Sequence, residues 1–96
     1  MKFVALWSLK EGVDQTKMAE VMARRADFKM PAGVKLIAEY WSPKGSPAVI
    51  NILEADNAAV LLVNSVIWID ILELDIFPVV TWEEGLEFIT DHLGGG

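Results

Sequence analysis

The sequence predicts an α+β domain built on a four-stranded antiparallel sheet, with elements in the order β-α-β-β-α-β-α. Three observations predict it. Strand-like runs rich in Val, Ile, Leu and Trp alternate with helix-spaced apolar stretches. A five-residue turn signal, Pro43-Lys44-Gly45-Ser46-Pro47, joins two of the strands into a hairpin. The chain has 96 residues, 53% of them hydrophobic, enough for one core and too short for two. A single domain over 1–96 is expected, with its ordered core at about 2–93.

The first strand spans 2–10. Val4 and Leu6 lie in one phase and Phe3, Ala5, Trp7 and Leu9 in the other, so both faces of this strand need cover. Glu11-Gly12-Val13 makes a turn and Asp14 an N-cap. A helix then runs to about Phe28 with Met18, Val21, Met22 and Ala26 at helical spacing. Arg24 and Arg25 fall near its C-terminal end, where cations suit the helix dipole. Pro31-Ala32-Gly33 closes that unit. The hairpin strands cover 34–42 and 48–55. Asp56 then caps a helix over 57–68 that is apolar nearly all round and so calls for burial on more than one side. The fourth strand covers 69–80, and Pro78, which has no ladder donor, puts it at a sheet edge. Thr81 and Glu84 have the spacing of a capping box. The last helix carries Trp82, Gly85, Leu86, Ile89 and Leu93 on one face, and Gly94 ends it. The closing Gly94-Gly95-Gly96 reads as a frayed end.

Composition narrows the function classes. There is no cysteine, which excludes disulfides, thiol catalysis and cysteine-based zinc sites. A net charge of −6 argues against a nucleic-acid-binding surface. The charge is also divided: all 8 Lys and Arg lie within 1–44 beside five acids, for +3, while 45–96 holds nine acids and neither base, for −9. The most apolar stretch, 58–72, falls short of the roughly 20 residues of a membrane-spanning helix, and the N-terminus lacks the pattern of a signal peptide. A cytoplasmic protein without membrane or nucleic-acid partners is expected.

The first six elements have the split βαβ order of ferredoxin-like domains, in which two helices cover one sheet face and leave the other open. Here the open face is apolar in either phase. A second copy packing sheet to sheet would cover it, so a homodimer through sheet faces is expected.

On these grounds the chain resembles the dimeric α/β-barrel superfamily, which includes antibiotic-biosynthesis-type monooxygenases, haem-degrading monooxygenases, muconolactone isomerases and several small families of unknown function. It is most similar to one of the last. The resemblance rests on the aromatic first strand Phe3-Val4-Ala5-Leu6-Trp7, the Trp68-Ile69-Asp70 step into the fourth strand, and Pro78-Val79 near its end. It implies a dimeric barrel with a pocket between sheet and helices in each subunit, but no single reaction, because function lives in the site and not the fold. The haem-degrading members need a histidine on a helix beside the pocket. The second helix has none, so neither haem nor another cofactor is expected.

Candidate ligand-binding residues follow from the strands and the aromatic positions. Trp7, Trp41 and Trp68 could wall an apolar pocket, with Tyr40 beside them. Glu39 and Asn51 each interrupt an apolar phase, Glu39 between Ile37 and Trp41 and Asn51 between Val49 and Leu53. A buried, unpaired Glu39 carboxylate would have a raised pKa, the usual route to a general base. The alternatives for both are an edge position reaching solvent or a buried hydrogen bond. Glu73 and Asp75 share a strand face and could hold a hard cation, although charges of this kind also guard an edge strand; no metal site is expected. Arg24, Arg25 and Lys29 could bind an anion or the acidic half of another subunit, or simply end a helix. His92, the only histidine, suits a helix C-terminus, and Glu83, Glu87 and Asp91 form an acidic stripe. The function expected is binding of a small, largely apolar or aromatic ligand between sheet and helices. The alternatives are a cofactor-independent monooxygenase- or isomerase-like enzyme and a structural or ligand-sensing module without catalysis. A closed cavity of about 300 Å³ with converging polar groups would favour a ligand site.

Overall fold

A computed structural model describes residues 1–94, apart from the side chain of Gln15. The strands are β1 (Lys2–Leu9), β2 (Val34–Trp41), β3 (Val49–Ala55) and β4 (Leu72–Val79), and the helices are α1 (Met18–Asp27), α2 (Leu62–Trp68) and α3 (Trp82–Ile89). The sheet is antiparallel throughout, in the order β2-β3-β1-β4, so β2 and β4 form its edges. This is an α+β architecture compatible with a ferredoxin-like fold, and Pro78 lies on an edge strand as its missing donor requires. Gly95 and Gly96, part of the expected frayed end, lie outside the described residues.

The turns form where their chemistry predicts. Gly12 and Gly33 take φ values of +85° and +89°, open to glycine at little cost, at the turns that lead into α1 and β2. Several element starts differ from the sequence reading. A 3₁₀ turn (Gln15–Lys17) precedes α1, with Asp14 accepting from the Thr16 amide at 2.9 Å and from its hydroxyl. Another 3₁₀ turn (Ala59–Leu61) precedes α2, and the side chain that binds its first amides is Asn57 rather than Asp56: the Asn57 Oδ1 accepts from the amides of Ala59 (2.9 Å) and Val60 (3.3 Å). Ile69 and Asp70 belong to the turn after α2, so β4 starts at Leu72. The capping box forms, with Glu84 N to Thr81 Oγ1 at 3.1 Å and Thr81 N to Glu84 Oε1 at 3.2 Å. After Ile89 the last helix widens into a π turn (Thr90–Gly94).

The core lies between one sheet face and the first two helices. Phe3, Ala5 and Trp7 from β1, Val49, Asn51 and Leu53 from β3, Val21 from α1, Leu61 from the 3₁₀ turn before α2, and Trp68 from α2 are buried there. The stripe of α1 that meets the sheet is Met18, Val21, Arg25 and Phe28, whereas Met22, expected on the apolar face, is exposed. The alternate strand phase, including Val4, Leu6, Ile50, Ile52, Tyr40 and Phe77, faces away from the helices and is only partly covered.

Two further expectations change. Helix α2 is not buried on several sides within the chain: Leu62, Val63, Val66 and Ile67 are exposed. Helix α3 stands off the body, contacting chiefly the turn that follows it, and its apolar residues Trp82 (73% exposed), Leu86, Ile89 and Leu93 face solvent. The chain is accordingly extended, 55 × 28 × 19 Å with a radius of gyration of 16.0 Å, where a compact domain of this length has about 12.5 Å. No helix among the described residues is long and apolar enough to cross a membrane.

Candidate functional site

The helix-facing side of β1, β2 and β3 carries a polar network inside an aromatic wall. Its centre is Glu39. On β2 the register shifts between Leu36 and Ala38, so that Leu36 pairs with Leu53 while Glu39 pairs with Asn51 and Trp41 with Val49. The bulge returns Glu39 and Trp41 to the phase of Leu36 and leaves Ile37 exposed at 44%. The sequence reading grouped Ile37 with Glu39 and Trp41; the extra residue separates them.

Glu39 accepts four hydrogen bonds. Arg25 Nε reaches Oε1 at 3.1 Å and Oε2 at 3.0 Å, Trp41 Nε1 reaches Oε2 at 2.9 Å, and Asn51 Nδ2 reaches Oε1 at 2.9 Å. Asn51 in turn accepts from Trp7 Nε1 at 2.7 Å. The line Trp7–Asn51–Glu39–Arg25 therefore runs from the centre of the sheet to α1, each polar group meeting a complementary one. Burial alone would push the Glu39 pKa up. The hydrogen bonds from Trp41, Arg25 and Asn51, together with the Arg25 charge, outweigh it and hold the carboxyl below its ordinary value. The unpaired, raised carboxylate considered from the sequence is thus not what forms: Glu39 is ionised and ion-paired.

Trp68 closes the aromatic side. Its ring lies edge-on to Trp7 (6.2 Å between centroids) and to Phe28 (5.8 Å), and the Arg24 guanidinium sits 4.7 Å from its centroid. Arg24 also pairs with Asp70 at 2.9 Å and donates to the Ile67 carbonyl at 2.8 Å, at the C-terminal end of α2. Arg24 and Arg25 are thus committed within the chain rather than offered to an external anion.

These groups surround a cavity of about 30 Å³, lined by Trp7, Arg25, Phe28, Met30, Glu39, Trp41, Asn51 and Trp68 among others. It has room for a water or two and is about a tenth of the volume expected for a ligand site. Five of the six residues singled out from the sequence, Trp7, Glu39, Trp41, Asn51 and Trp68, meet here. Tyr40 does not. As the neighbour of Glu39 and Trp41 on a strand it must point to the opposite face, where it is 62% exposed.

Arg25, read from the sequence as an anion binder or a helix end, was not placed at this site, and neither were Phe28 and Met30. The signal for Arg25 was present: it stands four residues after Val21 and three before Phe28, on the core stripe of α1, where a cation calls for a buried anion. Elsewhere, Glu73 and Asp75 are exposed on the edge strand. No group of three or more His, Asp or Glu suited to a metal exists among the described residues. His92 is exposed, stacked on Phe88 with ring centroids 4.1 Å apart, and its Nδ1 lies 3.2 Å from the Phe88 carbonyl.

A family model described as a domain of unknown function (DUF3303) matches residues 1–93 of this chain. No curated protein and no solved structure matches it. The chain belongs to that family.

Proposed function

We propose that this member of the DUF3303 family is a ferredoxin-like protein that dimerises through its open sheet faces as a dimeric α/β barrel. In each subunit it binds a small, flat, largely apolar or aromatic ligand between sheet and helices. The observation that carries the binding reading is the convergence of three tryptophans and Phe28 with Arg25, Glu39 and Asn51 on one cavity. Aromatic walls with a few fixed polar groups are the usual make-up of a small-molecule site. The cavity, about 30 Å³, must widen to admit such a ligand. Phe28 and Met30, on the connection from α1 to β2, form the wall that would give way, because a methionine adapts readily to a new occupant.

The dimer reading is supported by surface. The chain exposes 6505 Å², where a compact folded chain of this mass exposes about 5,500 Å². The excess, about 1,000 Å², is close to what each partner contributes to a standard interface. Catalysis is not part of the proposal: Glu39, saturated with donors and ionised, is a poor proton acceptor, and it orients a bound ring instead. The small volume of the cavity favours a second reading, a structural module with no ligand.

Native mass spectrometry of freshly purified protein, with titration by 2-naphthol followed through tryptophan fluorescence, separates the two. Saturable quenching in the wild type, weakened at least fivefold in Asn51→Leu, supports binding. Fluorescence that never saturates up to 1 mM probe, with no carried-over mass, leaves the structural module. Sedimentation at micromolar concentration tests the dimer, and a stable monomer refutes it.

A further inference from the structure

The β4 edge of the sheet carries two acids, Glu73 and Asp75, while the exposed charge at the start of the β2 edge is lysine, and the one element that leaves the body starts at the acidic edge. Across one end of the sheet, paired residues run in the row Lys35, Glu54, Lys2, Val79. Helix α3 begins three residues after Val79, so it roots at the same end as Lys35 but on the far edge. Its apolar stripe, Trp82, Leu86, Ile89 and Leu93, is exposed, and Glu83, Glu87 and Asp91 form an acidic row beside it. Near β2, Lys29 and Lys35 are exposed and make no ion pair among the described residues. Ile37, pushed out by the bulge, is an exposed apolar neighbour of Lys35.

Two sheets can meet face to face about a two-fold axis lying across the strands or along them. The first sets β4 over the partner's β4 in the opposite direction, which lays the two acidic edges together with Asp75 close to its own copy, and like charges so placed are unfavourable. The second sets β4 over the partner's β2 and carries Val79 to the partner's Lys35. We propose that the dimer takes this second arrangement. Helix α3 of each copy then lies over the β2 edge of the other, its apolar stripe against Ile37 and its acidic row against Lys29 and Lys35. This rests on the sheet-face dimer proposed above and deepens it. It accounts together for the extended chain, for a helix that is well capped yet unpacked, and for the division of charge between the two halves.

The absence of cysteine makes the test direct. Full-length Lys35→Cys and Glu87→Cys chains are prepared separately, mixed, allowed to exchange subunits and oxidised mildly. A disulfide-linked dimer should form in the mixture and not from either chain alone. In parallel, Lys35→Glu should raise the dimer dissociation constant about threefold, with Glu87→Lys in the same chain restoring it, as fits a pair at an interface rim. A dimer that persists in sedimentation but yields no mixed disulfide overturns the α3 placement and leaves the sheet-face dimer standing. An intrachain bond in the double variant Lys35→Cys/Glu87→Cys, with none between chains, overturns it as well. A chain that sediments as a monomer overturns both.

Discussion

Replacing Glu39 by glutamine tests the site at its centre. The carboxylate accepts from Arg25, Trp41 and Asn51 through both oxygens; an amide keeps one acceptor and turns its NH₂ toward the remaining donors. Asn51 can be spared only if the amide oxygen takes the Oε1 position, which leaves the Trp41 N–H opposed by a donor. The charged bond to Arg25 is worth about 1 kcal/mol after discounting for an arginine side chain one-third open to solvent. The stranded neutral donor adds about 1 kcal/mol. Glu39→Gln should therefore destabilise by about 2 kcal/mol, lowering Tm by about 10 °C for a domain of this size. Urea and thermal denaturation followed by circular dichroism, at fixed protomer concentration, measure it. A double-mutant cycle with Arg25→Met should return a coupling of about 1 kcal/mol. A variant within about 0.5 kcal/mol of the parent would falsify the view that the network holds β2, β3 and α1 together.

The remaining predictions concern other parts of the chain. Glu39 has its folded-state pKa below the ordinary 4.5, so the stability it contributes is complete above that value and is lost as pH falls through the folded value; the acid limb of a stability–pH curve should be shallower in Glu39→Gln. Asn64 is 1% exposed, and its Oδ1 accepts from no described residue. Asn64→Leu should accordingly stabilise the chain by about 1 kcal/mol in urea unfolding, and a loss would mean that the oxygen is satisfied. Thr81→Ala removes the cap of α3 and should speed amide hydrogen exchange in that helix while leaving β1 and β3 unchanged, because α3 stands apart from the core. Raising salt to 0.5 M should weaken dimerisation only modestly in sedimentation, since apolar burial dominates and charge sets orientation.

Element order was legible because it rests on local chemistry. Alternation in β1, the Pro43–Pro47 turn signal, the Thr81–Glu84 box and the donorless Pro78 each act within a few residues, and each appears in the structure. Errors of one to a few residues at element starts have local causes too, such as Asn57 rather than Asp56 taking the first amides of the 3₁₀ turn before α2. Asn51 and Glu39 could be marked as polar groups out of place in apolar phases, but not assigned partners.

Tertiary structure decided what joins them. The bulge between Leu36 and Ala38 depends on how β2 meets β3, and it determines that Glu39 rather than Ile37 faces α1. Arg25 lies 14 residues from Glu39, and Arg24 lies 46 from Asp70; two adjacent arginines on one helix turn go to different anions because that turn spans from the sheet to the end of α2. The size of the cavity likewise follows from how Trp7, Trp68 and Phe28 settle against one another. Periodicity and turn chemistry are properties of short segments and are written along the chain. Register, ion-pair choice and residual volume arise only when distant segments compete for the same space.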